Sequence, residues 1–349
     1  MNQIDFKQWL KKAKKSPQDI LAVDLDPSGV RCVRLKKSGN EIHLLAMDIL
    51  PPVDLTSVAP RAGTEKVMDI PKPLLARYVA LCLTGEDAVV KLLTLPGQAD
   101  NNLEAQIKDH MGIDEGDFRF GYQNVTAPGH VKSETKVLTV AIPDNLAHMA
   151  CHLFPIGIPA PLSVELSGLS AINAFIQGPG QTVKNETVGV IEMGARVTFV
   201  AFFTRGELSL IRKFDFGQYA ILDVIQKNLG VDQETARDIV ADGSFDISGL
   251  VKDVSEPFVK QLVISKHFVE RRENSHISQI FVPGGLGVSH DWLNEIKAAV
   301  SLDVDFWNPF DAVKLPAEGL PKQFEGQQSR FAAALGAALG NLISDESAM

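Results

Sequence analysis

Two carboxylates sit where apolar runs stop. Asp24 lies near the end of ILAVDLD (residues 20–26), and Glu192 near the end of VGVIEM (residues 188–193). A short turn follows each: Asp26-Pro27-Ser28 after the first, Gly194-Ala195-Arg196 after the second. These are residue types that a phosphate loop uses. Glycine lets the backbone approach an anion, inward N–H groups meet it, and an acid orients a hydrated Mg²⁺. The same residues suit a plainer reading, in which the acids accept strand-end hydrogen bonds and the glycines make tight turns. A third candidate is Gly284-Gly285, which closes the run SQIFV (residues 278–282).

The elements that would position these residues repeat. ILAVDLD reads as a buried strand, Val30–Lys36 alternates as a second, Ser38-Gly39-Asn40 is a hairpin turn, and Glu41–Ile49 is a third strand. The pattern returns with Val188–Met193, Arg196–Phe203, an Arg205-Gly206 turn and Glu207–Phe214. The turn glycines Gly39 and Gly206 follow Asp24 and Glu192 at similar intervals. Two copies of one unit predict two lobes related by pseudo-symmetry.

Between the copies, residues 88–155 predict a small inserted subdomain in β-α-β-β-α order. Its elements are Ala88–Leu95, a helix over 101–110, strands over 118–125 and 136–142, and a helix over 145–154. A strand at 162–165 then leads into a helix through Phe175. Gly178-Pro179-Gly180-Gln181 reads as a linker. Beyond the second copy come helices at 219–229, 232–242 and about 256–272, then a polar loop over 312–329. The expected organisation is a basic segment 1–18, a first lobe 19–177, a second lobe 181–329, and a small-residue helix within 330–349 that returns to the first lobe.

Composition narrows the chemistry. The 349 residues are 45% hydrophobic and 22% charged, with a net charge of −9. That is an ordinary globular composition, and its acidity argues against nucleic acid as a partner. Cys32, Cys82 and Cys151 are far apart and the histidines are scattered, so neither a disulfide framework nor a His/Cys metal site is expected. No secretory signal is legible, and the longest apolar stretch, 331–343, is too short to span a bilayer. Residues 1–18 mix Ile4, Phe6, Trp9 and Leu10 with Lys7, Lys11, Lys12, Lys14 and Lys15. They read as a solvated terminus or as a basic face for an anionic membrane.

The ordered stretches GVIEMGARVTFVAFF, FDFGQYAILDVIQKNLGV, SQIFVPGGLGVSHDWLNEI, NPFDAV and AALGAALGNL resemble the type IV pilus assembly protein PilM family, relatives of FtsA. The resemblance runs from about Asp19 to near the C-terminus. It implies an α/β actin-like ATPase fold of two duplicated lobes, with ATP or ADP and Mg²⁺ in the cleft between them. It implies a cytoplasmic protein at the inner face of the inner membrane, peripherally associated, bound to the cytoplasmic tail of a PilN-like single-pass protein and to other pilus assembly proteins. Homo-oligomers fit the resemblance as well.

Carried over residue by residue, the family's first loop keeps Asp24 and offers Ser28, but Asp26 stands in place of glycine and Pro27 lacks an N–H. Asp26 would bring unpaired negative charge toward a phosphate. The second loop keeps Gly194, Ala195 and Thr198, has Glu192 for Asp, and adds Arg196. Thr198 would donate to phosphate. Gly284 and Gly285 fit the adenine side, where Arg237 and Val240 replace the family's Glu and Lys. The family's acid two residues before Glu165 is Ser163, which removes the hydrolytic base and leaves Glu165 as a substitute. The expectation is a scaffold that does not hydrolyse, with no catalytic residue, no resident metal, and nucleotide bound weakly or not at all. The alternatives are an active ATPase or small-molecule kinase of the same superfamily, and an FtsA-like membrane-tethered filament. The acidic stretch 341–349 disfavours the last.

Overall fold

The computed structural model describes residues 16–57, 68–96, 103–112, 116–125, 134–154, 157–243, 245–283 and 289–343. The first copy of the repeat is β1 (Asp19–Asp26), β2 (Gly29–Ser38) and β3 (Glu41–Leu50). It is joined by β4 (Tyr78–Leu83) and, after the insertion, β8 (Ala160–Leu166), giving a sheet in the order β3-β2-β1-β4-β8. The second copy is β9 (Thr187–Met193), β10 (Thr198–Thr204) and β11 (Glu207–Phe214). With β12 (Gln279–Pro283) and β13 (Val304–Trp307) it forms β11-β10-β9-β12-β13. In both sheets the repeat pairs antiparallel and the later strands add in parallel. The duplication therefore covers five strands per lobe. The fourth, β4, has no counterpart in the sequence reading. Its run YVALCL lacks alternation because both faces are covered: Val79 to Leu83 are buried without exception.

The insertion folds as expected into β5 (Val89–Pro96), α1 (Leu103–Met111), β6 (Phe118–Asn124), β7 (Glu134–Pro143) and α2 (Asp144–His152). Its sheet runs β5-β7-β6, with Ile107 and Met111 of α1 packed on Leu93, Leu95, Val137 and Ala141. The first-lobe helix α3 spans Ser167–Gln177. The second lobe carries α4 (Gln218–Leu229), α5 (Gln233–Asp242), α6 (Ser248–Glu273) and α7 (His290–Val300). Helix α6 starts earlier than Pro257 suggests, because that proline lies inside it. The predicted polar loop holds the 3₁₀ turn Lys322–Phe324, lies between the 3₁₀ turns Pro309–Ala312 and Gln328–Phe331, and bridges to β3 through Lys314 and His43.

The last helix, α8 (Ala332–Ile343), returns to the first lobe and lies against α3, β1, β2 and β4. Its composition follows from how close it comes. A Cβ on Gly336 would stand 1.6 Å from the Ser170 carbonyl oxygen. Helix α3 is held on its other side by the second lobe. A Cβ on Gly168 would stand 2.1 Å from the Phe199 ring of β10, and Phe175 packs on Phe281 and Trp307. One apolar core thus crosses from lobe to lobe through α3.

Candidate functional site

The first loop is the tight turn between β1 and β2. Register pairs Asp26 with Gly29 and so sets Asp24 opposite Arg31. Gly29 takes φ +138, a conformation few side chains permit. The Ser28 N–H and hydroxyl both donate to Asp26 Oδ1, at 2.8 and 2.7 Å. Arg31 Nη1 stands 2.7 Å from Asp26 Oδ1 and 3.9 Å from Asp24 Oδ2, and Nη2 donates to Ser28 Oγ at 2.8 Å. The expected unpaired charge at Asp26 is therefore corrected: Arg31, only 7% exposed, neutralises it inside the loop. Asp24 also accepts from Ser167 Oγ at 2.6 Å, across from the start of α3. Burial raises the Asp24 carboxyl to about 6 despite Arg31 beside it.

In the second loop Gly194 N donates to Val197 O at 2.9 Å, and α4 returns bonds from Gln218 N to Gly194 O and Tyr219 N to Ala195 O. Gly217 makes that docking feasible, since a Cβ there would lie 2.6 Å from Ala195 O. Glu192 faces Asp24 and Asp26. Burial first, then those two carboxylates, push it up to about 8.

These loops face a cleft of about 420 Å³ between the lobes. Asp24, Ser28, Glu192, Gly194 and Ala195 line it. Two expected residues are directed elsewhere. Thr198 is fully buried and donates its hydroxyl to Phe216 O at 2.7 Å, tying β10 to the end of β11. Arg196 pairs with Glu86 at 3.5 Å and stacks on Tyr219, outside the cleft lining. Gly284 and Gly285 lie outside the described residues. Glu165 is not in the cleft either. Ser163, Ser170 and Asn341 each donate to it at 2.8 Å, which stitches β8 to α3 and α8. Its carboxyl is raised by burial, and it is not among the residues that line the cleft.

Residues that the motif reading passed over complete the site. Arg31 had a legible signal: an arginine on an otherwise apolar strand, set opposite Asp24 by a minimal turn. Arg330, just before α8, had none, because only the fold brings it over the cleft beside Arg237 of α5. Burial and the nearby Arg31 and Arg237 charges lower the Arg330 pKa. Ile221, Leu222, Val240, Ala241 and Val282 give the cleft an apolar wall. A larger cavity of about 650 Å³ beside Phe175, Lys184 and Arg205 contains none of the loop residues.

The donor set fits a nucleotide and does not fit its usual metal. An apolar wall and two arginines suit a base and its phosphates. Among the described residues no three of His, Cys, Asp or Glu are arranged to hold a metal ion, and a guanidinium lies between Asp24 and Asp26.

Comparison with known proteins bears on the fold and the family. The family model described as "Type IV pilus assembly protein PilM" matches residues 23–342. A chain of the solved "PilM-PilN type IV pilus biogenesis complex" superposes with TM-score 0.71 at 15% identity, covering 95% of this chain and 100% of that one. A Bacteroides thetaiotaomicron protein with an actin-like ATPase fold and unknown function gives TM-score 0.46 at 11% identity, covering 94% and 99%. Ethanolamine utilization protein EutJ from Carboxydothermus hydrogenoformans gives 0.43 at 14%, covering 93% and 91%. No curated protein matches the sequence. The architecture is the actin-like ATPase fold with a subdomain inserted in the first lobe, and the chain belongs to the type IV pilus assembly protein PilM family.

Proposed function

We propose that the chain is a scaffold of a type IV pilus or related secretion assembly. It works at the cytoplasmic face of the inner membrane and holds the cytoplasmic tail of a PilN-like single-pass protein. The observation that carries this reading is the family match over residues 23–342, joined to a fold shared end to end with a chain of the PilM–PilN complex. The inserted subdomain supports it physically. Strand β6 is an edge strand of its sheet, mostly exposed, with Tyr122 45% exposed. An extended tail adds to such an edge by main-chain hydrogen bonds. Among the described residues no helix is long and apolar enough to cross a membrane, which suits a protein recruited by a membrane partner.

The cleft in this reading binds nucleotide as a structural ligand and does not hydrolyse it. Support comes from the first loop, whose Ser28 donors are spent on Asp26, and from Glu165, held by three donors away from the cleft. The test uses a peptide copied from the short cytoplasmic tail of the single-pass protein encoded beside this one. Calorimetry with the full chain should give saturable binding, and Tyr122→Asp should weaken it. Absence of binding, together with steady ATP turnover in Mg²⁺, would turn the assignment to an ATPase.

A further inference from the structure

We infer that the interlobe cleft is a metal-independent nucleoside polyphosphate site, in which Arg31 occupies the place of a divalent cation and Arg237 and Arg330 meet the phosphates. The inference rests on the proposed reading of the cleft as a nucleotide site and specifies how that site works.

A loop acid usually meets a nucleotide through a hydrated cation that both bind. Here the cation is covalent. Arg31 sits within salt-bridge distance of both loop carboxylates and takes the Ser28 hydroxyl as a third partner. It is buried among them on a strand and held from below by the β1–β2 register. A divalent ion entering between Asp24 and Asp26 would have to displace that guanidinium. Guanidinium does not leave by losing its proton, because its pKa stays far above physiological pH.

The ligand's own charge then needs another counter-charge. Arg330 reaches the cleft from the segment before α8, its Nη1 donating to Gln327 Oε1 at 2.7 Å. Arg237 reaches it from α5 on the second lobe. Among the described residues neither guanidinium has a carboxylate within ion-pair distance; Asp26 acts on Arg330 only from further off, and Asp238 lines the same cleft. Two mutually repelling arginines at one opening create the potential that an anion relieves. Arginine also binds phosphate oxygens in fixed bidentate geometry. The apolar wall of Ile221, Leu222 and Val240 gives the base a dry face, which separates a nucleotide from bare phosphate.

Calorimetry of the full chain with ATP, ADP and inorganic pyrophosphate, each in EDTA and in millimolar Mg²⁺, tests this. ATP and ADP should bind in EDTA, more tightly than pyrophosphate, and Mg²⁺ should change their affinity by no more than about threefold. Arg237→Gln and Arg330→Gln should each weaken ATP about tenfold, as loss of a charged hydrogen bond does. Arg31→Gln should make ATP binding tighten with Mg²⁺. If that variant misfolds, the two other variants and the Mg²⁺ comparison on the wild type still decide. Tightening of tenfold or more by Mg²⁺ in the wild type, wild-type ATP affinity retained in both arginine variants, or no binding at millimolar ATP would each overturn the inference. The partner-tail titration, run on the same protein without nucleotide, reports separately on the scaffold reading.

Discussion

Asp24 and Glu192 carry raised carboxyl pKa values, about 6 and about 8, and this has a definite sign for stability. An acid that holds its proton more tightly when folded binds more protons in the native state than in the unfolded one. Stability therefore falls as pH rises from the unfolded values, about 4, through the folded ones. The ligand-free protein should lose melting temperature between about pH 5 and pH 8. Glu192→Gln should flatten the upper half of that decline and stabilise the protein at pH 8 by on the order of 1 kcal/mol. Parallel melting curves for wild type and variant would refute this. Arg31→Ala leaves the buried Asp24 and the partly buried Asp26 without their cation and should cost about 3 kcal/mol in urea denaturation. Adding Asp26→Ser should recover part of the loss, because one of the stranded charges is gone. Arg31 was readable in principle, since the turn length fixes which residue faces Asp24. Motif matching ignored it because it looks along the loop and not across the hairpin.

At the scale of elements, α3 and α8 show why small residues cluster near the C-terminus. The Ala/Gly composition was visible in the sequence, but its cause was not. Gly336→Ala should destabilise by at least about 3 kcal/mol, although alanine favours helix by about 1 kcal/mol over glycine. The added Cβ would meet the Ser170 carbonyl at 1.6 Å, which is backbone and must move the whole helix. Gly340→Ala meets only the Asn173 amide nitrogen at 3.0 Å, a side-chain end whose bond to Gly336 O, 2.8 Å long, must shift by a few tenths of an ångström. Its cost should be clearly smaller than that of Gly336→Ala. Similar losses at both positions in chemical denaturation would contradict the close-crossing argument. Strand β4 escaped the sequence reading for a related reason. A strand covered on both faces has no alternation to detect, so its existence is decided by the neighbours it pairs with.

For the molecule as a whole, the joint between lobes and insertion rests on Lys213. From β11 of the second lobe its ammonium reaches Gly85 O at 3.2 Å, Glu86 O at 2.5 Å and Ala88 O at 2.9 Å, in the segment that enters the insertion. Arg196–Glu86 and Lys136–Glu273 add cross-links on either side. Because β11 runs on into α4, which lines the cleft, the cleft wall and the insertion's joint share one strand. Lys213→Met should raise hydrogen exchange over residues 85–92 while leaving β1 protected, because β1 lies deep in the first-lobe sheet. A uniform rise over the chain, or none, would mean that Lys213 does not hold the joint.

The amino-acid sequence alone determined the duplicated strand order, the acids at two strand ends, the turns and the inserted β-α-β-β-α unit. Those features depend on side-chain periodicity and turn chemistry within a few residues. Only the tertiary structure decided which residues meet at the cleft. Ser167 on Asp24, Arg330 beside Arg237, and Thr198 turned to Phe216 O depend on how α3, α5 and α8 dock against the two sheets. Contacts of that kind join residues far apart along the chain, and their geometry is set by packing across the whole core, which no local pattern encodes.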